Sequence, residues 1–195
     1  LMAQLPGGAF AKGRDRIVRI ADPGGTRKVP AAHGSGNTGA TYTSPASTTF
    51  SFLKGLTQAE YTPAPTSQEF FLLGDNGYRD SVGTTMAGEM ACTTFFINSL
   101  SSGAPQADID TALGLVMAAE SDPDKELFVE MLTLLGQDAS NNFLYFVRAF
   151  QACVTGVSEA APSDGLIEYS WSFQSRGEIY VGTLNNSTSA LDVYA

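Results

Sequence analysis

One histidine, His33, stands among 195 residues, with two cysteines and one tryptophan. That scarcity excludes much chemistry. A Ser-His-Asp arrangement would need His33 as its base, yet His33 lies in a Gly/Ser/Thr-rich stretch and no Gly-x-Ser-x-Gly turn accompanies it. One His and two dispersed Cys do not supply the ligand set of a zinc site. Cys92 and Cys153 make no disulfide framework. Both sit in apolar runs and read as small buried hydrophobes, a bridge between them staying open if their strands are neighbours. No apolar run reaches the roughly 20 residues that cross a bilayer. The opening LMAQLPGGAF lacks the charged and then apolar regions of a signal peptide, so none is expected.

Three polar clusters look like chemistry and have plainer readings. The acidic run ESDPDKE, 120–126, lacks the spacing and central glycine of an EF-hand loop. Asp108 and Asp110 fall in the first turn of an expected helix, where the helix dipole favours anions. GSGNTG, 34–39, matches neither Gly-rich phosphate motif. No catalytic residue, metal ligand or cofactor site is expected, and the chain reads as structural rather than enzymatic.

Cations are also scarce: 11 Lys and Arg face 20 Asp and Glu, for a formal charge of −9. They are unevenly spread. Residues 1–28 carry six basic and two acidic residues, net +4, and the rest carries five and eighteen, net −13. An acidic body argues against nucleic-acid binding through that body, which would need Lys/Arg contacts to phosphates. A basic arm beside an acidic body suggests that the arm of one copy lies on the body of another, a solvated tail being the alternative.

What is present is mostly strand signal. DGLIEYSWSFQSRGEI, 164–179, alternates: Ile167, Tyr169, Trp171 and Phe173 on one side as core, Glu168, Ser170, Ser172 and Gln174 on the other. RIVRIA, 16–21, reads as a short edge strand whose apolar face is interrupted by arginine, and ADPGGTRK, 21–28, as a turn. FSFLKGL, 50–56, reads as a strand. Pro63 and Pro65 forbid a central strand at 61–67. QEFFLLGDNGYRD, 68–80, holds a strand ending at an Asn-Gly turn, and 86–98 holds another. In 107–121, Ile109, Leu113, Val116 and Met117 recur at helical spacing, with Pro123 after the stop. KELFVEMLTLL, 125–135, fits strand or helix, and strand is preferred because Leu127, Val129 and Met131 alternate. The aromatic and β-branched run 142–160 is a strand. The expectation is a mainly β chain, a sandwich or barrel-like domain with one flanking helix. It divides as a basic arm and Gly/Ser/Thr-rich segment (1–49), a β domain (50–182) and a polar tail (183–195).

Two stretches, in order, resemble a known family. GYRDSVGTTMAGEMACTTFFIN, 77–98, is similar to the central segment of the major tail tube proteins of long-tailed bacteriophages. RAFQACVTGVSEAAPSDGLIEYSWSFQSRGEI, 148–179, resembles their closing hairpin, and the helix falls where the family has one. The resemblance covers about residues 77–180. It implies a β-sandwich with a flanking helix, homohexameric rings whose inner sheets join into one barrel, and rings stacked into a tube in a virion tail assembled in the host cytoplasm. Implied partners are further copies, the tail terminator, distal tail and tape-measure proteins, and double-stranded DNA that passes without specific binding. No membrane segment is implied.

DNA carries about one negative charge per 1.7 Å of axis, so a basic wall would hold it. On that reading Glu89, Glu126, Glu130 and Glu168 are expected to face the bore, though they would equally solubilise an outer surface. Arg14, Arg16, Arg19, Lys54, Tyr78 and Arg79 are candidates for arms and loops between rings. Two alternatives remain: the inner tube of a contractile injection machine, and a monomeric β-sandwich that grips a ligand with loops 31–49 and 56–67.

Overall fold

A computed structural model describes residues 16–30, 41–45, 48–53, 55–64, 66–71, 79–85, 87–95, 105–140, 142–163, 165 and 167–186, with backbone only for 66–71, 79–85, 105–110 and 186. His33, Arg14, Lys54, Tyr78 and the Asn-Gly turn lie outside the described residues. The expected mainly β chain with one helix is what these residues form. The strands are β1 (Arg16–Ala21), β2 (Ser51–Phe52), β3 (Leu56–Pro63), β4 (Thr66–Phe71), β5 (Arg79–Thr85), β6 (Gly88–Phe95), β7 (Leu127–Gln137), β8 (Phe143–Ala160) and β9 (Glu168–Asn186). The helix α1 (Pro105–Glu120) lies between β6 and β7.

Seven strands form one antiparallel sheet in the order β2-β1-β7-β8-β9-β6-β3. Its two end strands are consecutive in the chain, so the sheet curls until its ends meet. The corner is Gly55, at φ 70°, a left-handed conformation that only glycine adopts freely. Just before it Leu53 N donates to Val18 O at 2.9 Å, and just after it Phe95 N donates to Gly55 O at 2.9 Å. The chain thus leaves β1 and joins β6 within three residues. Beyond the corner β3 diverges from β1, and the Arg16 guanidinium spans the seam to Ala59 O at 2.6 Å. Bulges in β8 between Val154 and Gly156, and opposite Phe150/Gln151 in β9, let these long strands follow the curve.

The interior is filled by alternate residues of five strands, Val18, Ile20, Met90, Cys92, Leu127, Val129, Met131, Phe150, Ala152, Trp171 and Phe173, with Leu53 from just after β2. Helix α1 closes it with Ala112, Val116 and Ala119, one stripe at helical spacing. This differs from the expected stripe. Val116 is buried, but Leu113 is half-buried and Met117 is 51% exposed, because the small alanines let the helix sit close to the sheet. Of the four expected core residues of β9, Trp171 and Phe173 are buried, Tyr169 is half-buried, and Ile167 precedes the strand and is exposed.

A second apolar cluster lies on the outside of the sheet. Phe128, Leu132, Tyr145, Val147, Ala149 and Tyr180 are covered there by the segment 41–50 through Tyr42 and Phe50. Tyr42 N donates to Thr183 O at 2.7 Å and fastens that segment along β9. β7 is therefore buried on both faces from Leu127 to Leu132.

β1 is not an edge strand. It pairs with β7 along its whole length and with β2 on the other side. Arg19 sits opposite Glu130 in that ladder and is 8% exposed, with Glu130 at 0%. Arg19 Nε donates to Glu130 Oε2 at 2.6 Å and Nη2 to Ser44 Oγ at 2.8 Å, and the guanidinium lies 4.3 Å from the Phe50 ring centroid. Tyr42 Oη donates to the other carboxylate oxygen at 2.5 Å. Burial, then the neighbouring Glu130 carboxylate, pushes the Tyr42 phenol well above its usual range, so it stays a donor. No buried side-chain polar atom of this group is left without a partner, which is what makes a buried pair tolerable.

Two outcomes follow for stability. Glu130→Leu strands a buried arginine and is expected to cost about 3–5 kcal/mol in urea unfolding, while Arg19→Met with Glu130→Leu recovers most of that loss. Asp138 caps the β7–β8 turn, accepting from Asn142 Nδ2, Asn142 N, Ser140 N and Asn185 Nδ2. Those donors, Asn142 first, hold its carboxyl below the usual carboxylate range. Its contribution is present above the unfolded-state pKa and lost as pH falls through the depressed folded value. The stability gap between the wild type and Asp138→Ala, measured by thermal melts, is therefore largest near neutrality and closes in acid.

Candidate assembly surfaces

The exterior of the sheet has two parts. Over β1, β7 and the far halves of β8 and β9 it is covered by the segment 41–50. Over β3, β6 and the near halves of β8 and β9 no other described segment covers it, and this is the bare part. The pairing registers arrange the bare part in rows. Thr62, Glu89, Gln174 and Cys153 lie side by side, then Glu60, Ala91, Ser172 and Gly156, then Gln58, Thr93, Ser170 and Ser158, then Phe95, Glu168 and Ala160. The alternation of DGLIEYSWSFQSRGEI is thus shared by its neighbours: their opposite faces carry Ala59, Tyr61, Met90 and Cys92 into the interior.

No Lys or Arg stands in these rows. The first cation along β9 is Arg176, whose Nη1 reaches Glu126 Oε1 at 3.4 Å and whose Nη2 donates to Pro123 O at 3.1 Å. A shallow groove of about 360 Å³ crosses the face between Glu60, Thr62, Glu89, Thr155, Ser172 and Gln174. Hydroxyls and short amides dominate it; Thr93 and Ser170 oxygens stand 3.5 Å apart across two strands.

The candidate acidic residues separate accordingly. Glu89 is exposed on the bare face, and Glu168 is half-buried at its margin. Glu126 lies in the loop before β7 and is paired with Arg176. Glu130 is excluded from any bore: it is fully buried against Arg19, because an unpaired arginine in β1 had to meet a carboxylate in the adjacent strand. Glu60, exposed on β3, stands on the same face as Glu89, at a period of two through Gln58, Glu60 and Thr62 that the prolines after it obscure in the sequence.

The basic candidates for contacts between rings are also corrected. Arg19 is held inside its own chain by Glu130, and Arg16 by the carbonyl of Ala59. Both are spent on closing the fold. Arg79 opens β5, and Arg14, Lys54 and Tyr78 lie outside the described residues. The acidic run after α1 is used locally: Asp122 Oδ1 accepts from Asp124 N at 3.1 Å, and Lys125 pairs with Asp22 at 3.5 Å.

No known family profile matches the sequence, and no curated protein matches it. The fold does have solved relatives. A chain in the tail of an empty gene transfer agent particle, refined helically with C6 symmetry, matches over 87% of this chain and 97% of its own, with a TM-score of 0.51 at 12% identity. A chain in the virion of a native gene transfer agent particle matches over 88% and 98%, with a TM-score of 0.50 at 12% identity. The chain has the tail tube fold. The SPP1 tail tube is a further neighbour, at a TM-score of 0.49 and 14% identity. At such identities the tail tube likeness is one of backbone. No residue role transfers with it, and the surfaces above rest on this chain's own side chains.

The two thiols give a direct check on the faces. Cys92 points into the interior, where burial pushes its thiol up to about 12. Cys153 is half-buried on the exterior, its Sγ 3.6 Å from Gln174 O. A chromogenic disulfide reagent is expected to titrate one thiol per folded chain and two after denaturation, and Cys153→Ser should abolish the native reaction.

Proposed function

We propose that this chain is a structural subunit of a virion tail tube, that six copies close into a ring, and that rings stack into a conduit for the genome, with the bare face of β3, β6, β8 and β9 as its lining. The role is mechanical, not catalytic. The observation that carries the reading is the cation-free face. Four adjacent strands present hydroxyls, amides and the carboxylates of Glu60, Glu89 and Glu168, with no group that would hold a phosphate. An ordinary solvated sheet would intersperse both signs of charge for solubility. The six-fold symmetry of the gene transfer agent tail supports the ring size.

The unpaired edges fit assembly as well. β2 has only two residues, and the β4–β5 pair stands as a sheet of its own, too small to be stable alone in water. A head-to-tail contact between copies gives such an element a partner, closes a ring when the rotation allows, and leaves fewer open edges. Tail terminator, distal tail and tape-measure proteins are the partners that such a tube would meet at its ends and in its bore.

Cys153 is a native labelling site on that face. In dispersed subunits both a small maleimide and a maleimide carrying a large polymer are expected to label it. In assembled tubes, seen by negative-stain microscopy, the small reagent should still react and the large one should be excluded from the bore. Equal labelling of tubes by both reagents would place this face outside, and a chain that stays monomeric at high concentration would remove the tube altogether.

A further inference from the structure

The ladders β3–β6 and β4–β5 follow one another along the chain with a break between them. β3 and β6 pair from Leu56 and Thr94 to Pro63 and Gly88. Ala64 N then donates to Ala87 O at 2.8 Å, and β4 and β5 resume the ladder from Thr66 and Thr85. The near half belongs to the closed sheet; the far half is a separate two-stranded ribbon. A lone ribbon twists more freely than a wide sheet, so its direction is set at the break.

The last residues before that break are unusually constrained. A Cβ on Gly88 would overlap the ring of Tyr61, so the phenol lies directly on the backbone of β6. The Arg148 guanidinium, from β8, stands 4.9 Å from the Tyr61 ring centroid and 5.2 Å from that of Phe146. The Phe150 ring is 6.0 Å away on a tilted approach. β6 is tied on its other side, where Gly88 N donates to Ser175 Oγ at 2.8 Å. Pro63 ends β3 with a fixed φ. Tyr61 packs at the rim of the interior beside its register partner Met90, so the ring that ends the core also bears on the strand at the break.

We propose that Tyr61, clamped between Gly88 and Arg148, is a positioning residue that fixes the angle at which the β4–β5 ribbon leaves the subunit, and so presents the ribbon to a second copy in the one orientation that closes a ring. The reason is geometric. A head-to-tail contact closes only if its rotation is right; a change in that rotation gives open helical or mixed assemblies. Ordering the ribbon in the free subunit also removes an entropic cost from each contact made later. The proposal rests on the tube reading for its consequence, but the angle is a property of the single chain.

The test uses three variants of the full chain, Tyr61→Ala, Tyr61→Phe and Arg148→Met, each checked for native circular dichroism. Spin labels at Gln68→Cys and Glu120→Cys in a Cys153→Ser background report the angle in dispersed subunits. The wild type and Tyr61→Phe, which keeps the ring, should give one narrow distance distribution, and Tyr61→Ala and Arg148→Met a broad one. In assembly, the same two variants should raise the critical concentration about tenfold and give tubes of mixed diameter, with Tyr61→Phe like the wild type. A distribution as narrow in Tyr61→Ala as in the wild type overturns the proposal, whatever the assembly result. If the wild type makes no rings, the tube reading falls while the distance measurement still decides the role of Tyr61.

Discussion

The structure depends on a corner. At Gly55 the chain stops pairing with β1 and starts pairing with β6, and that single change of partner converts an open antiparallel sheet into a closed one. Closure gives every strand an inside and an outside. The inside is settled by ordinary burial of aliphatic and aromatic residues under α1. The outside is free to be divided, and this chain divides it in two, one half clad by the segment 41–50 and the other left polar and uncovered.

The cladding explains where the positive charge goes. Four of the six cations in the first 28 residues are described, and they lie against their own sheet. Arg16 bridges the seam, Arg19 is buried in the clad face, Arg27 packs against Gly177, and the Lys28 backbone N–H donates to Gln151. Of these, Arg19 meets a carboxylate of the chain's own body and Arg16 a carbonyl, and the described rows of the uncovered half are neutral or acidic.

Much of this was legible. Alternation located β7 and β9, aromatic and β-branched composition located β8, and helical spacing placed α1 within two residues of its ends; the expected loop from residue 56 is instead β3, an end strand of the sheet that carries Pro63 at its last position. The resemblance of 77–98 and 148–179 to tail tube proteins pointed to the same fold that the solved tails show. Sequence periodicity reports a single face of a strand, so the second buried face of β1 and of β7 did not show, and β1 reads as an edge. Arg19 looked like an interruption and Glu130 like a surface acid, when each was the other's partner across 111 residues. The helix stripe was likewise shifted, because hydropathy ranks Met117 above Ala112 and Ala119, whereas close approach of a helix favours the smaller side chains.

The pairing of β8 with β9 runs unbroken in direction from Phe143 and Asn186 at one end to Ala160 and Glu168 at the other. A pull on β8 at one end against β9 at the other shears this ladder along its own axis, so its hydrogen bonds share the load in parallel and must yield together. Bonds pulled one after another, as in unzipping, would part at far smaller force. The chain is thus stiff in the direction in which its longest strands lie.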